Sequence, residues 1–285
     1  MIGPVRLPFL ILTPACVLLG VGTAAWTTGA VNAFLVTVIV IGAISAHICV
    51  NLFNEYSDFK SGLDSNTIRT PFSGGSGTLP ERPEMLDPVL YFALTALGIT
   101  ILIGVFLSLV RGMALLPLGV LGLIVIVSYT PWITRRPALC LMAPGLGFGP
   151  LMVMGTNFAL TGEYSRTAFA ASLVPFFLVN NLLLLNQFPD AEADKRIGRR
   201  HLPITIGKRR SSLIYAIFTA FTYLTIMAGI YSKLFPPATL LGMATLFMAV
   251  PASIGAYRHA EDVNRLIPYL GLNVVVNIAT PYCLP

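Results

Sequence analysis

Asn186, Asp190 and Asp194 repeat at a spacing of four within NQFPDAEADKR, and Asn54 and Asp58 repeat that spacing within NLFNEYSDFKSGLD, where Asp64 follows a glycine. In a helix, residues four apart stack on one face. The pattern Asn-x3-Asp therefore occurs twice, 132 residues apart, as a short internal repeat. Carboxylates gathered on one face repel one another, and a hard cation such as Mg2+ relieves that repulsion. Magnesium takes a few carboxylates and completes its coordination with water and phosphate oxygens. Cations lie beside both clusters, Lys60 and Arg69 near the first and Lys195 and Arg196 after the second. Four aspartates flanked by Lys and Arg point to a metal–diphosphate site, in which the metal neutralises phosphate charge and basic side chains hold the oxygens. The bland alternative is that all of these are solvated charges at helix ends.

The elements that must position these groups are membrane helices. The 285 residues are 55% hydrophobic and 11% charged, against about 25% charged in soluble domains. A crossing needs about 20 apolar residues, and nine such runs stand at about 8–26, 32–53, 87–109, 112–130, 138–160, 167–187, 212–232, 237–257 and 265–283. The reading is an all-α polytopic membrane protein, about nine transmembrane helices around a central cavity. It forms one domain over 1–285, built of pseudo-repeat halves at about 1–135 and 136–285, each ending one helix in acids. With nine crossings, fifteen of the eighteen Lys and Arg fall on the side of the N-terminus, and only Arg111, Arg166 and Lys233 on the other. That asymmetry puts the N-terminus and both acidic segments in the cytoplasm. The basic residues adjoin membrane spans, so the partner they suit is the bilayer surface and no nucleic acid is expected. Cys16, Cys49, Cys140 and Cys283 have no CxxC spacing and read as small buried hydrophobes.

The segment NLFNEYSDFKSGLD resembles the first aspartate-rich motif of the UbiA superfamily of intramembrane prenyltransferases, with the spacing Asn-x2-Asn-Asp-Tyr-x-Asp-x3-Gly-x-Asp of its menaquinone-type branch. DAEAD, followed by a basic run and LPITIG, is similar to the second motif. VRLPFLILTPACVLLG resembles the family's Arg–Pro opening of its first helix, and RTPFSGGSG stands where the family has an Arg-led, Gly-ending loop. The resemblance runs from about residue 5 to 210. Glu55 occupies a position where the menaquinone branch usually has Asp, and YTPWITRR replaces a Tyr-Pro-x-x-Lys-Arg loop.

The resemblance implies a prenyltransferase of quinone biosynthesis, taking a polyprenyl diphosphate from the bilayer and an aromatic or other lipophilic acceptor. Asp58, Asp64, Asp190 and Asp194 would ligate Mg2+, with Asn54 and Asn186 orienting them. Lys60, Arg69, Lys195 and Arg196 would hold the leaving diphosphate. Tyr129 would face the allylic cation through its ring, or else serve as an ordinary interfacial aromatic. The SGGSG segment suggests a lid over the diphosphate, with a plain linker as the alternative. His47 reads as a helix-packing histidine, and His201 carries no inferred role. Two other functions compete: a terpene cyclase using the same metal site without an acceptor, and a cation-binding transporter. A transporter should carry ionisable groups near mid-membrane, whereas here the charges gather at helix ends.

Overall fold

The computed structural model of the protein describes residues 2–63 and 69–284, and among these every regular element is helical. Two single-turn helices, Ile2–Val5 and Leu7–Leu10, precede nine longer ones. These are α1 Leu12–Thr28, α2 Ala33–Lys60, α3 Leu86–Arg111, α4 Leu116–Ser128 and α5 Pro137–Thr161. The series continues with α6 Arg166–Arg196, α7 Lys208–Tyr231, α8 Pro237–Arg258 and α9 Val263–Tyr282. Each coincides with one of the apolar runs read from the sequence. Several starts are set by side-chain caps: Asn32 accepts from the Leu35 N–H at 3.1 Å, Ser165 from Ala168 at 2.9 Å and Asp262 from Arg265 at 3.2 Å.

Among the described residues seven helices are long and apolar enough to cross a membrane; α4, within the apolar segment Met113–Ser128, is shorter, and α9 is not among the seven. The count of nine crossings expected from the sequence is thus not confirmed as a number, since seven of the nine helices meet the length and composition of a span. The reason in α9 is its polar content, Asn264, Arg265, Asn273 and Asn277. Two of these asparagines face inward. Tyr215 Oη donates to Asn273 Oδ1 at 3.1 Å, and Asn181 Nδ2 donates to the Tyr215 carbonyl at 2.9 Å. Polar pairs of this kind tie α6, α7 and α9 together where lipid offers no hydrophobic drive for association. The outward faces are apolar, with Leu102 72% and Phe247 87% exposed. Such surface suits lipid, and the chain is an integral multi-pass membrane protein.

Helix α6 is the most enclosed of these seven helices. It contributes Val174, Leu178, Val179 and Leu182 to the largest apolar cluster, beside Leu12, Cys16 and Leu19 of α1, Tyr223 of α7 and Val276 of α9. Close approach to α5 depends on two glycines four residues apart. A Cβ on Gly145 would lie 2.1 Å from the Phe176 carbonyl oxygen, and one on Gly149 2.4 Å from that of Ser172. Pro144 and Pro150 interrupt the α5 ladder, and its middle, Gly147–Met154, winds as a π-helix. This close seam brings the cytoplasm-expected ends of α5 and α6 together under the two acidic segments.

Candidate active site

The last turns of α2 and α6 open onto one cavity of about 120 Å3, which Asn54, Asp58, Asn186, Asp190 and Asp194 all line. The four-residue spacing therefore does what the sequence suggested: it turns both acidic faces toward one space. Tyr129, just past the end of α4, forms part of the wall, and residues 72–75 of the Gly-rich segment cover another part. Asp64 lies outside the described residues.

The four flanking cations expected at the diphosphate are not cavity-lining. Lys60 sits over the Tyr56 ring, 4.9 Å from its centroid, Lys195 and Arg196 are exposed, and Arg69 pairs with Glu81 at 3.3 Å on the surface. The helix dictates the first three departures. At 3.6 residues per turn, Lys195 and Arg196 are rotated by about 100° and 200° from Asp194, and Lys60 by about 200° from Asp58. These cations occupy the final turns of α2 and α6, where they complement the negative ends of the helix dipoles.

The charge that faces the cavity comes from residues given no site role from the sequence. After α6, Gly198 adopts a left-handed φ of +83° and the chain reverses, with Arg199 N–H donating back to the Asp194 carbonyl at 3.0 Å. The reversal returns the Arg199 guanidinium beside the helix it has just left. Its Nη1 donates to Asp194 Oδ1 at 2.8 Å, and its Nη2 bonds Asp58 Oδ1, so one side chain joins the two acidic motifs. Burial opposes the charge on this guanidinium, but Asp58 and Asp194 outweigh that effect and raise its pKa further above the ordinary arginine value. His201 Nε2 stands 2.9 Å from the other Asp194 oxygen, and the ring is buried. The repulsion expected between the acidic clusters is thus relieved within the protein by a cation of its own.

Arg6 is the second cavity-lining guanidinium. Its backbone is left-handed, with φ +56°, a strained conformation for a non-glycine residue. Its Nη2 donates to Asn54 Oδ1 at 3.1 Å and to Glu55 Oε2 at 3.0 Å. Glu55 is fully buried and does not line the cavity, accepting from the Ser76 N–H at 3.0 Å and from the Ser76 hydroxyl. The Gly74 N–H donates to Asp190 Oδ2 at 3.2 Å. The Gly-rich segment is therefore an anchored strap across the cavity, bonded to one acidic helix at each end.

Two acceptor oxygens of the lining, Asp190 Oδ1 and Asn186 Oδ1, are buried and receive no hydrogen bond from the protein. Unpaired buried acceptors of this type suit a hard cation. Among the described residues no three acids, histidines or cysteines form a ready-made ligand group. That fits Mg2+ held by one or two carboxylates and substrate phosphates, and it does not suit a cage built wholly of protein ligands.

The profile of the UbiA prenyltransferase family matches residues 14–272. The 1,4-dihydroxy-2-naphthoate octaprenyltransferase of Bacillus subtilis (strain 168) is 27% identical over 213 residues, covering 74% of this chain and 66% of that protein. The enzyme of the same name from Mycobacterium tuberculosis is 26% identical over 266 residues, 90% of this chain and 85% of that one. Among solved structures, the apo UbiA homologue from Aeropyrum pernix K1 superposes with a TM-score of 0.75 at 15% identity, covering 97% and 96% of the two chains. The Archaeoglobus fulgidus homologue bound to DMAPP and Mg2+ has a TM-score of 0.63 at 14% identity, with 99% and 97% coverage. The helical arrangement is thus shared with both archaeal proteins.

Proposed function

Because the chain belongs to the UbiA prenyltransferase family, we propose that it transfers a prenyl group from a polyprenyl diphosphate to an aromatic quinone-precursor acceptor, releasing diphosphate. The observation that carries this reading is the convergence of both acidic helix ends on one cavity with the oxygens of Asn186 and Asp190 buried and unpartnered. The similarity to two 1,4-dihydroxy-2-naphthoate octaprenyltransferases supports a dihydroxynaphthoate-type ring as acceptor. An archaeal protein of the same fold is bound to DMAPP and Mg2+, which supports the metal and the diphosphate.

Asp58, Asp190 and Asp194, together with Asp64, are the residues that would hold one or two Mg2+, directly or through water, with Asn54 and Asn186 orienting them. Bound there, Mg2+ would offset the charge of the departing diphosphate. The protein's own groups then divide the remaining work. Arg6 and Arg199 face the diphosphate oxygens, whereas Lys60, Arg69, Lys195 and Arg196 act at longer range by drawing an anionic substrate toward the cavity. The allylic carbon–oxygen bond breaks and its electron pair leaves on the diphosphate. An electron-rich ring carbon of the acceptor captures the allylic cation, and the ring then loses a proton. Phe72 and the strap keep water from the cation, and the Tyr129 ring stabilises it. The fifteen-to-three distribution of basic residues supports an N-terminus and active site on the cytoplasmic side. The two acidic helices, one in each half, support halves at about 1–135 and 136–285.

The test is direct. Purified protein is incubated with prenyl diphosphates of several lengths and 1,4-dihydroxy-2-naphthoate, with Mg2+ or EDTA, and products are read by mass spectrometry. A prenylated ring formed only with Mg2+ is expected. Cyclic hydrocarbons released without any acceptor would replace this reading with the terpene cyclase.

A further inference from the structure

Arg199 occupies an unusual position for a cation at a metal site. It does not stand behind the carboxylates; it sits between them, bonding Asp58 from α2 and Asp194 from α6 across 141 residues of sequence. Asp58 and Asp194 are 5% and 3% exposed, so the ion triplet is nearly dry. By contrast, Asp190 Oδ1 and Asn186 Oδ1 on the same cavity have no partner. The guanidinium thus answers two of the three described carboxylates and leaves one oxygen of the third, Asp190 Oδ1, open. Its backbone lies past Gly198, beyond the last turn of α6. The side chain can therefore change partners without any helix unwinding.

We propose that Arg199 is a positioning residue that serves as the site's internal counter-cation: it keeps Asp58 and Asp194 paired between turnovers and yields them only when a divalent cation arrives with a diphosphate. The inference rests on the metal–diphosphate reading above and adds an order of loading to it. With every carboxylate ionised, Asp58, Asp190 and Asp194 with Arg199 sum to a formal charge of −2. A metal ion entering alone meets a guanidinium already bonded to the oxygens it needs. A metal ion entering with a diphosphate brings anionic oxygens to which Arg199 can turn, so each partner makes room for the other. By linkage, the diphosphate must then raise metal affinity by the same factor by which the metal raises diphosphate affinity.

Mn2+, as a paramagnetic substitute for Mg2+, can be titrated by electron paramagnetic resonance with and without a non-ionising geranyl thiolodiphosphate. In the wild type, Mn2+ alone should bind weakly and the analogue should tighten it. Arg199→Gln removes the competing charge, so Mn2+ alone should bind about tenfold tighter or more, the scale on which one neighbouring opposite charge alters a carboxylate's affinity for a cation. The tightening by the analogue should shrink. The metal-free melting temperature of the variant should fall, and Mn2+ alone should restore it. Should Arg199→Gln not fold, Arg199→Lys carries the test, because one ammonium cannot bridge both carboxylates as the fork does, and Mn2+ alone should again bind tighter than in the wild type. Equal or weaker Mn2+ binding by the folded variant overturns the proposal, since Arg199 would then be a plain structural tie. If the folded wild type binds no Mn2+ even with the analogue, the metal–diphosphate reading itself fails.

Discussion

Asp190 combines one oxygen held by the strap at Gly74 with another that nothing in the protein answers, which makes it the residue most dependent on a ligand. Asp190→Ala should insert and fold yet lower turnover by about two decades or more, the scale on which removing one group aimed at transition-state charge acts. Steady-state prenyl transfer checks this, and near-normal Mg2+-dependent turnover would return the acids to the status of solvated helix ends. Lys195→Gln and Arg196→Gln make the converse case. Both side chains are exposed and off the cavity face, so each should change kcat/KM by less than about threefold, as exposed charges do. The aspartates were legible in the sequence because periodicity reports which residues share a helical face. The flanking basic residues were placed by adjacency, which leaves out the rotation that each step along a helix brings, and they do not line the cavity. Arg199 and His201 escaped for a different reason: they lie past a glycine turn, where periodicity carries no directional information.

At the level of elements, the strap depends on Glu55. Its carboxylate is fully buried and joins Arg6 to Ser76. Removing one partner of a buried pair leaves an uncompensated group, so Glu55→Ala should destabilise the protein by about 3 kcal/mol and free the strap. Denaturation in micelles reads the first effect, and faster proteolysis within residues 70–77 reads the second. Glu55→Asp, one methylene shorter, should lose the Ser76 contact before the Arg6 contact and raise KM for the diphosphate more than it lowers kcat. All nine helices were visible as apolar runs. The sequence alone did not reveal that α5 winds as a π-helix through Gly147–Met154, nor that Glu55 anchors the strap, because both depend on which neighbour lies across the interface.

At the scale of the whole molecule, charge asymmetry makes a topological prediction. Single cysteines introduced at 60 and 195 in a cysteine-free background should react with an impermeant thiol reagent only from the cytoplasmic face, and one at 233 only from the opposite face. Labelling of 60 or 195 from outside would invert the proposed orientation. The overall architecture was the most legible feature of all, since lipid imposes it through composition, whereas the crossing count weakened at α9, whose asparagines point into the bundle. The Arg199 bridge also has a consequence in time. Arg6 is already made when Glu55 leaves the ribosome, but Asp58 must await a partner 141 residues downstream. At roughly 5–20 residues per second, that interval is roughly 7–28 s. For that period the nascent chain holds a carboxylate at the membrane edge without the Arg199 counter-charge, and the cavity cannot close. Site assembly is therefore gated by translation of the sixth helix and the turn beyond it, so a ribosome stalled before that point leaves a membrane-bound fragment with no competent chamber.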